Sequence, residues 1–91
     1  MDVRLPPMQA LRAFEATARA QSLTKAAEAL NLTHGAISHQ IKSLEGDLGV
    51  RLIERAGRGI RLTDEGERFA RRVRTAFVEL AGAVTGLTPR A

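Results

Sequence analysis

Along most of this chain the apolar residues recur every three or four positions, the period of helices that bury a single face. Met8, Leu11, Phe14 and Ala18 make one such stripe and predict a helix over about residues 8–20. Leu5-Pro-Pro7 reads as its extended lead-in, because proline suits a helix entry and not its interior. Ala26, Ala27 and Leu30 predict a second helix over about 23–30, capped by Ser22, with alanines that let a neighbouring helix come close. Asn31 sits at the corner that follows, where its tolerance of left-handed backbone allows a sharp turn. Leu32 is then expected to tuck into the core and Thr33 to cap a third helix. In that helix Ile37, Ile41, Leu44 and Leu48 step by four, three and four, which turns Gly35, Ser38, His39 and Lys42 to the opposite side; Gly49 ends it.

After Gly49 the period changes. Arg51-Leu-Ile-Glu-Arg55 and Ile60-Arg-Leu-Thr63 alternate on either side of Ala56-Gly-Arg-Gly59, the pattern of a β-hairpin with a glycine-rich loop. Thr63, followed by acids at 64 and 65 and by Glu67, opens a last helix. That helix can run to about Gly86, roughly 35 Å at 1.5 Å per residue, and Pro89 limits it. The elements compose a mainly α fold, a winged helix-turn-helix of three helices plus a two-stranded wing, with a long C-terminal helix behind it. Residues 1–63 are expected to form the winged domain and residues 64–87 a linker and dimerisation helix.

On the last helix Phe69, Val73, Ala76, Leu80, Ala83 and Leu87 step by four, three, four, three and four, a seven-residue repeat that Phe77 and Val84 widen. A domain of 91 residues lies near the lower limit of what one core stabilises, and it cannot cover so long a helix. The seam therefore predicts a dimer interface, most simply with the same helix of a second copy. Its first half can also pack on the chain's own first helix, whereas from about Leu80 onward a partner is needed. Gly82 and Gly86 weaken that distal part by about 1 kcal/mol each relative to Ala.

Charge sharpens the picture. The formal net charge is +4, and its placement matters more than its size. Between His34 and Leu44 there is one Lys and no acid, and Arg51, Arg55, Arg58 and Arg61 face only Glu54 within their segment. Acids gather elsewhere, so two segments carry the electrostatic footprint of a nucleic-acid module. Cysteine is absent, which excludes disulfides and thiolate metal sites and suits a reducing cytosol. His34 and His39 come without the further ligands a zinc site needs, so neither metal nor other cofactor is expected. Without a long apolar run or a signal-peptide pattern, a soluble cytoplasmic protein with no membrane partner is expected. No nucleophile–base set, carboxylate pair or phosphate loop appears, which argues against an enzyme.

The third helix then carries the candidate chemistry. His34, Ser38 and His39 offer groups suited to base edges, Lys42 suits guanine acceptors or phosphate, and Gly35 lets the backbone approach DNA closely. Arg58, between two glycines, is the wing residue suited to a narrow minor groove; Arg55, Arg51 and Arg61 are phosphate neighbours or plain surface charges. Each residue also has an ordinary reading: Ser38 as a small surface residue, Lys42 and Arg58 as solvated charges. Coincidence of position favours the functional one, since the uncharged-to-basic face falls on the helix that the turn chemistry independently selects.

These segments resemble the DNA-binding domain of LysR-type transcriptional regulators over essentially the whole chain. The resemblance rests on Leu11-Arg-Ala-Phe14, Ser22-Leu-Thr-Lys-Ala-Ala27, Leu32-Thr-His-Gly-Ala-Ile-Ser-His-Gln-Ile41, Leu44-Glu45, Leu48-Gly49, Leu52-Ile-Glu-Arg55 and Leu62-Thr-Asp-Glu-Gly66. The opening Arg4-Leu-Pro-Pro-Met-Gln-Ala-Leu-Arg-Ala-Phe14 is most similar to the glycine-cleavage activators and β-lactamase regulators. The resemblance implies a bacterial homodimer that binds interrupted palindromes in double-stranded DNA. It implies base contacts from His34, Gly35, Ser38 and His39, a wing contact from Arg58, and backbone contacts from Thr33 and Lys42. Relatives often carry Gln at the position of His34, Pro or Ala at Gly35, and Arg at His39, so the half-site preference does not transfer. Members of the family also carry a C-terminal sensor for a small-molecule effector. Residues 88–91 are expected to begin the hinge towards it, with the sensor itself absent from this sequence. The rival expectation is a helix-mediated protein-interaction module of the antitoxin or anti-sigma kind, which explains the seam but not the outer face of the third helix.

Overall fold

A computed structural model of the chain describes residues 4–87. They form α1 (Met8–Ala20), α2 (Leu23–Leu30), α3 (His34–Leu48), β1 (Ile53–Ala56), β2 (Gly59–Leu62) and α4 (Asp64–Leu87). The hinge expected at residues 88–91, and Pro89 with it, lies outside the described residues.

Local chemistry makes the corners. Ser22 Oγ accepts a hydrogen bond from the Lys25 amide at 3.1 Å and caps α2, and Thr33 Oγ1 accepts from the Ala36 amide at 3.0 Å and caps α3. Asn31 closes α2 in the left-handed region, at φ 59° and ψ 43°. The Asn31 amide donates to Glu28 O at 3.2 Å and the Leu32 amide to Ala27 O at 2.8 Å, the paired bonds of a Schellman closure. That closure overturns one expectation: Leu32 does not enter the core but stands 41% exposed at the rim of a shallow pocket with Gln9 and Arg12. Its backbone is fixed by the turn while its side chain is left outside. Met8 and Leu48, near the ends of their helices, are also partly exposed.

The helix α1 is the hub. One side gathers Leu11 and Phe14 with Leu44, Leu52 and Val73; the other gathers Ala13 and Ala16 with Ala26, Ala27, Ile37 and Ile41. Phe14 stacks on Phe69 of α4 with ring centroids 5.6 Å apart. Glu15 supports the same junction, 3.2 Å from Arg19 Nε and 3.6 Å from Arg74 Nη1. The core thus crosses residue 63: the first turns of α4 belong to it.

The hairpin is antiparallel, with Ile53 opposite Leu62, Glu54 opposite Arg61, Arg55 opposite Ile60 and Ala56 opposite Gly59. Its loop is tighter than the four residues read from sequence. Only Gly57 and Arg58 lie outside the strands, and Gly57 takes φ 58°, as a two-residue turn with glycine first requires.

At the start of α4, Thr63 Oγ1 accepts from the Gly66 amide at 3.0 Å. Glu67 lies one residue too far along to return the bond, so a reciprocal cap does not form. Gly66 is buried, and a Cβ there would overlap the carbonyl oxygen of Leu52, the residue just before β1.

Candidate nucleic-acid interface

The burial of α3 divides cleanly by side. Ile37, Ile41 and Leu44 are fully buried and pin the helix to α1 and α2. His34, Gly35, His39 and Lys42 are exposed, with Ser38 half-buried. Thr33 Oγ1 is occupied as an acceptor by the cap, but its hydroxyl proton stays available to a phosphate oxygen. Immediately after it come the first amides of the helix, which have no partner within the helix and favour anions. At Gly35 a Cβ would meet nothing within 4 Å, so internal packing does not require glycine there.

The wing adds charge selectively. Arg61 Nε donates to Glu54 Oε1 at 2.6 Å across the hairpin, which neutralises that arginine locally. Arg51 Nε lies 3.9 Å from Glu45 Oε2. Among the described residues, Lys42, Arg55 and Arg58 enter no ion pair, so their charges remain for a partner. Ser38 and Lys42 of α3 and Arg51 and Arg55 of the hairpin share one cleft of about 170 Å³. His34, Gly35 and His39 lie outside that cleft, on the rest of the exposed side of α3, and Arg58 stands at the hairpin tip. The flank of α3 is bare and polar and the arm beside it is positively charged, with Glu45 and Glu54 also lining the cleft between them.

Two residues of this region stand in the segments that carry the resemblance, yet the sequence shows no role for them. Glu45, whose side chain is only 14% exposed, accepts hydrogen bonds through Oε2 from the amides of Leu52 at 2.7 Å and Ile53 at 3.2 Å. Apart from its place in Leu44-Glu45, its sequence trace is an acid near a helix C-terminus, where the helix dipole disfavours it. Gly66 left a similar trace, a glycine inside the first turn of a helix.

The seam of α4 falls into two parts. Phe69, Val73 and Phe77 pack on the chain's own core, Val73 at 7% exposure. Val73 is therefore not free surface, and its part in any interface is to floor a groove. Ala76, Leu80, Ala83, Val84 and Leu87 are exposed, with Leu80 at 51%. Between α4, the lead-in and the end of α3 runs an apolar groove of about 740 Å³, lined in part by Leu5, Met8, Leu48, Phe69, Phe77 and Leu80. No helix among the described residues is long and apolar enough to cross a membrane.

A family model described as "Bacterial regulatory helix-turn-helix protein, lysR family" matches residues 8–67. The chain is 51% identical over 83 residues to the HTH-type transcriptional regulator TrpI of Pseudomonas aeruginosa, covering 91% of this chain and 28% of that protein. It is 47% identical over 90 residues to the glycine cleavage system transcriptional activator of Escherichia coli strain K12, covering 99% of this chain and 30% of that one. The chain thus spans less than a third of these curated relatives. Among solved structures, the complex of BenM_DBD with benA site 1 DNA superposes with a TM-score of 0.82 at 34% identity, covering 88% of this chain and 90% of that one.

Proposed function

The chain belongs to the LysR family of bacterial regulatory helix-turn-helix proteins, and on that premise we propose that it is a homodimeric regulator domain that reads specific duplex DNA without catalysing a reaction. The exposed side of α3 enters the major groove, where Ser38, His34 and His39 meet base edges and Gly35 lets the helix backbone come near. Thr33, Lys42 and Arg55 hold phosphates, and Arg58 reaches the adjacent minor groove, whose negative potential deepens where it is narrow. In this reading the winged DNA-binding unit expected over residues 1–63 extends into the first turns of α4, and the rest of α4 is the dimerisation helix. Ala76, Leu80, Ala83, Val84 and Leu87 meet a second copy over the floor made by Phe69, Val73 and Phe77. Two copies related by a twofold axis then read an interrupted palindrome. In this reading the domain acts in the bacterial cytoplasm.

The observation that carries this reading is the exposure of His34, Gly35, His39 and Lys42 along the one side of α3 that Ile37, Ile41 and Leu44 leave open. The interaction-module reading gives that side no role. Selection of bound duplexes from a random pool is expected to return a two-fold symmetric site with a fixed gap. Ser38→Ala and His39→Ala should each cost about 1–3 kcal/mol on that site and little on random DNA. Equal losses on both would refute the base-reading assignment.

A further inference from the structure

We propose that Glu45 is the positioning residue that fixes the wing's angle against the recognition helix, and so sets where Arg58 falls on the DNA. The wing needs such a fixture. A two-stranded hairpin is marginal by itself, and this one packs on the core through Ile53 and Leu62, paired at its base. Its tip lies about 13 Å from that base at ~3.3 Å per residue, so a tilt of about 10° at the base moves the tip by about 2 Å.

At the base, residues 51–53 are held on two edges. On the α3 edge, the Glu45 carboxylate takes the Leu52 and Ile53 amides, at 2.7 and 3.2 Å. These are charge-assisted bonds in a half-buried place, where they are stronger than neutral ones and costly to lose. On the α4 edge, Leu52 O accepts from the Thr63 amide at 3.0 Å, Thr63 Oγ1 donates to Arg51 O at 2.7 Å, and Gly66 packs flat against the same carbonyl. The α4 edge ties the two ends of the hairpin to each other. Among these polar ties Glu45 alone reaches back from the hairpin to the helix that carries Ser38 and Lys42, where it adds direction to the apolar packing of Leu52 with Leu44 and of Ile53 beside Ile41. The carboxylate therefore acts through the hairpin and needs no contact with DNA.

The test is amide hydrogen exchange, residue by residue, on the whole chain and its Glu45→Ala and Glu45→Gln variants. Exchange across residues 53–62 is expected to speed by about tenfold or more in Glu45→Ala relative to the α1 amides. In Glu45→Gln, which keeps an acceptor oxygen, most of the protection should return. Unchanged protection of the hairpin, a uniform acceleration that includes α1, or a Gln variant no better than Ala would each overturn the assignment. The DNA half of the inference rests on the function proposed above and is read separately. Glu45→Ala should weaken binding about tenfold more to duplexes with A·T-rich flanks than to the same half-sites with G·C-rich flanks, and equal weakening would overturn it. Failure of every form of the chain to bind DNA, with the exchange pattern as expected, would overturn the DNA reading and leave Glu45 as the wing's fixture.

Discussion

At Gly66 the chain has no room for a side chain, because the Leu52 carbonyl oxygen occupies the space a Cβ would take. That oxygen cannot step aside, since it accepts the Thr63 amide at the hairpin base. Gly66→Ala is therefore expected to destabilise the fold by more than about 3 kcal/mol, visible as a fall of at least about 12 °C in the thermal midpoint. Gly35 is the opposite case: nothing in the chain lies near its missing Cβ. Gly35→Ala should leave the midpoint unchanged or raise it, as removal of a helical glycine favours the helix by about 0.5–1 kcal/mol. It should still lower affinity for the cognate duplex by about tenfold, roughly 1.4 kcal/mol, if backbone approach is what the position serves. Full retention of affinity would count against that approach. The two glycines look alike in the sequence, and the difference shows what could be read there. Ser22, Asn31, Thr33 and Gly49 were legible because each finds its partner within a few residues. Gly66 and Glu45 were not, because Gly66 packs on a residue fourteen positions back and Glu45 bonds to amides seven and eight positions ahead.

Periodicity located every helix, but it could not assign the neighbours of a helix that has two. The stripe of α4 reads as one continuous seam, yet its proximal part is taken up by α1 and the chain's own core, with Arg74 tied to Glu15. From Val78 to Leu87 every residue is exposed. Exposed helical turns gain less from packing than buried ones, and these contain Gly82 and Gly86. Both glycines have open space where a Cβ would stand. Gly82→Ala combined with Gly86→Ala should therefore favour the distal helix by about 1–2 kcal/mol, since each replacement contributes up to about 1 kcal/mol. The gain is measurable as increased helical circular dichroism at low protein concentration. The same double variant should also dimerise more tightly, because less ordering remains to be done on association. An increase in helicity without tighter association would mean that the distal turns do not take part in the interface. The wing was legible in the same partial way: alternation gave two strands, but the pairing of Ala56 with Gly59, which narrows the loop to Gly57 and Arg58, depends on register that alternation does not encode.

For the whole molecule, the proposed groove-facing helix and dimer seam matter together, because one recognition helix would meet too few base pairs to select a site in a genome. Joining two half-sites through α4 makes the second contact intramolecular, and such linkage typically raises affinity by about 10²–10⁴ without any new contact. Leu80 is the residue at which to test this. It is 51% exposed in the single chain, on the side of α4 that lines the apolar groove, so a charge there disturbs little of the folded domain. In a dimer packed over that groove, the same charge is taken out of water without a partner, which is strongly unfavourable. Leu80→Glu should keep the thermal midpoint of the dilute chain while shifting sedimentation from dimer to monomer. Affinity for the full interrupted palindrome should fall by about 100-fold or more, with affinity for an isolated half-site unchanged. A variant that remains dimeric would remove α4 from the interface. A monomeric variant that still binds the full palindrome like the parent would break the link between dimerisation and site selection.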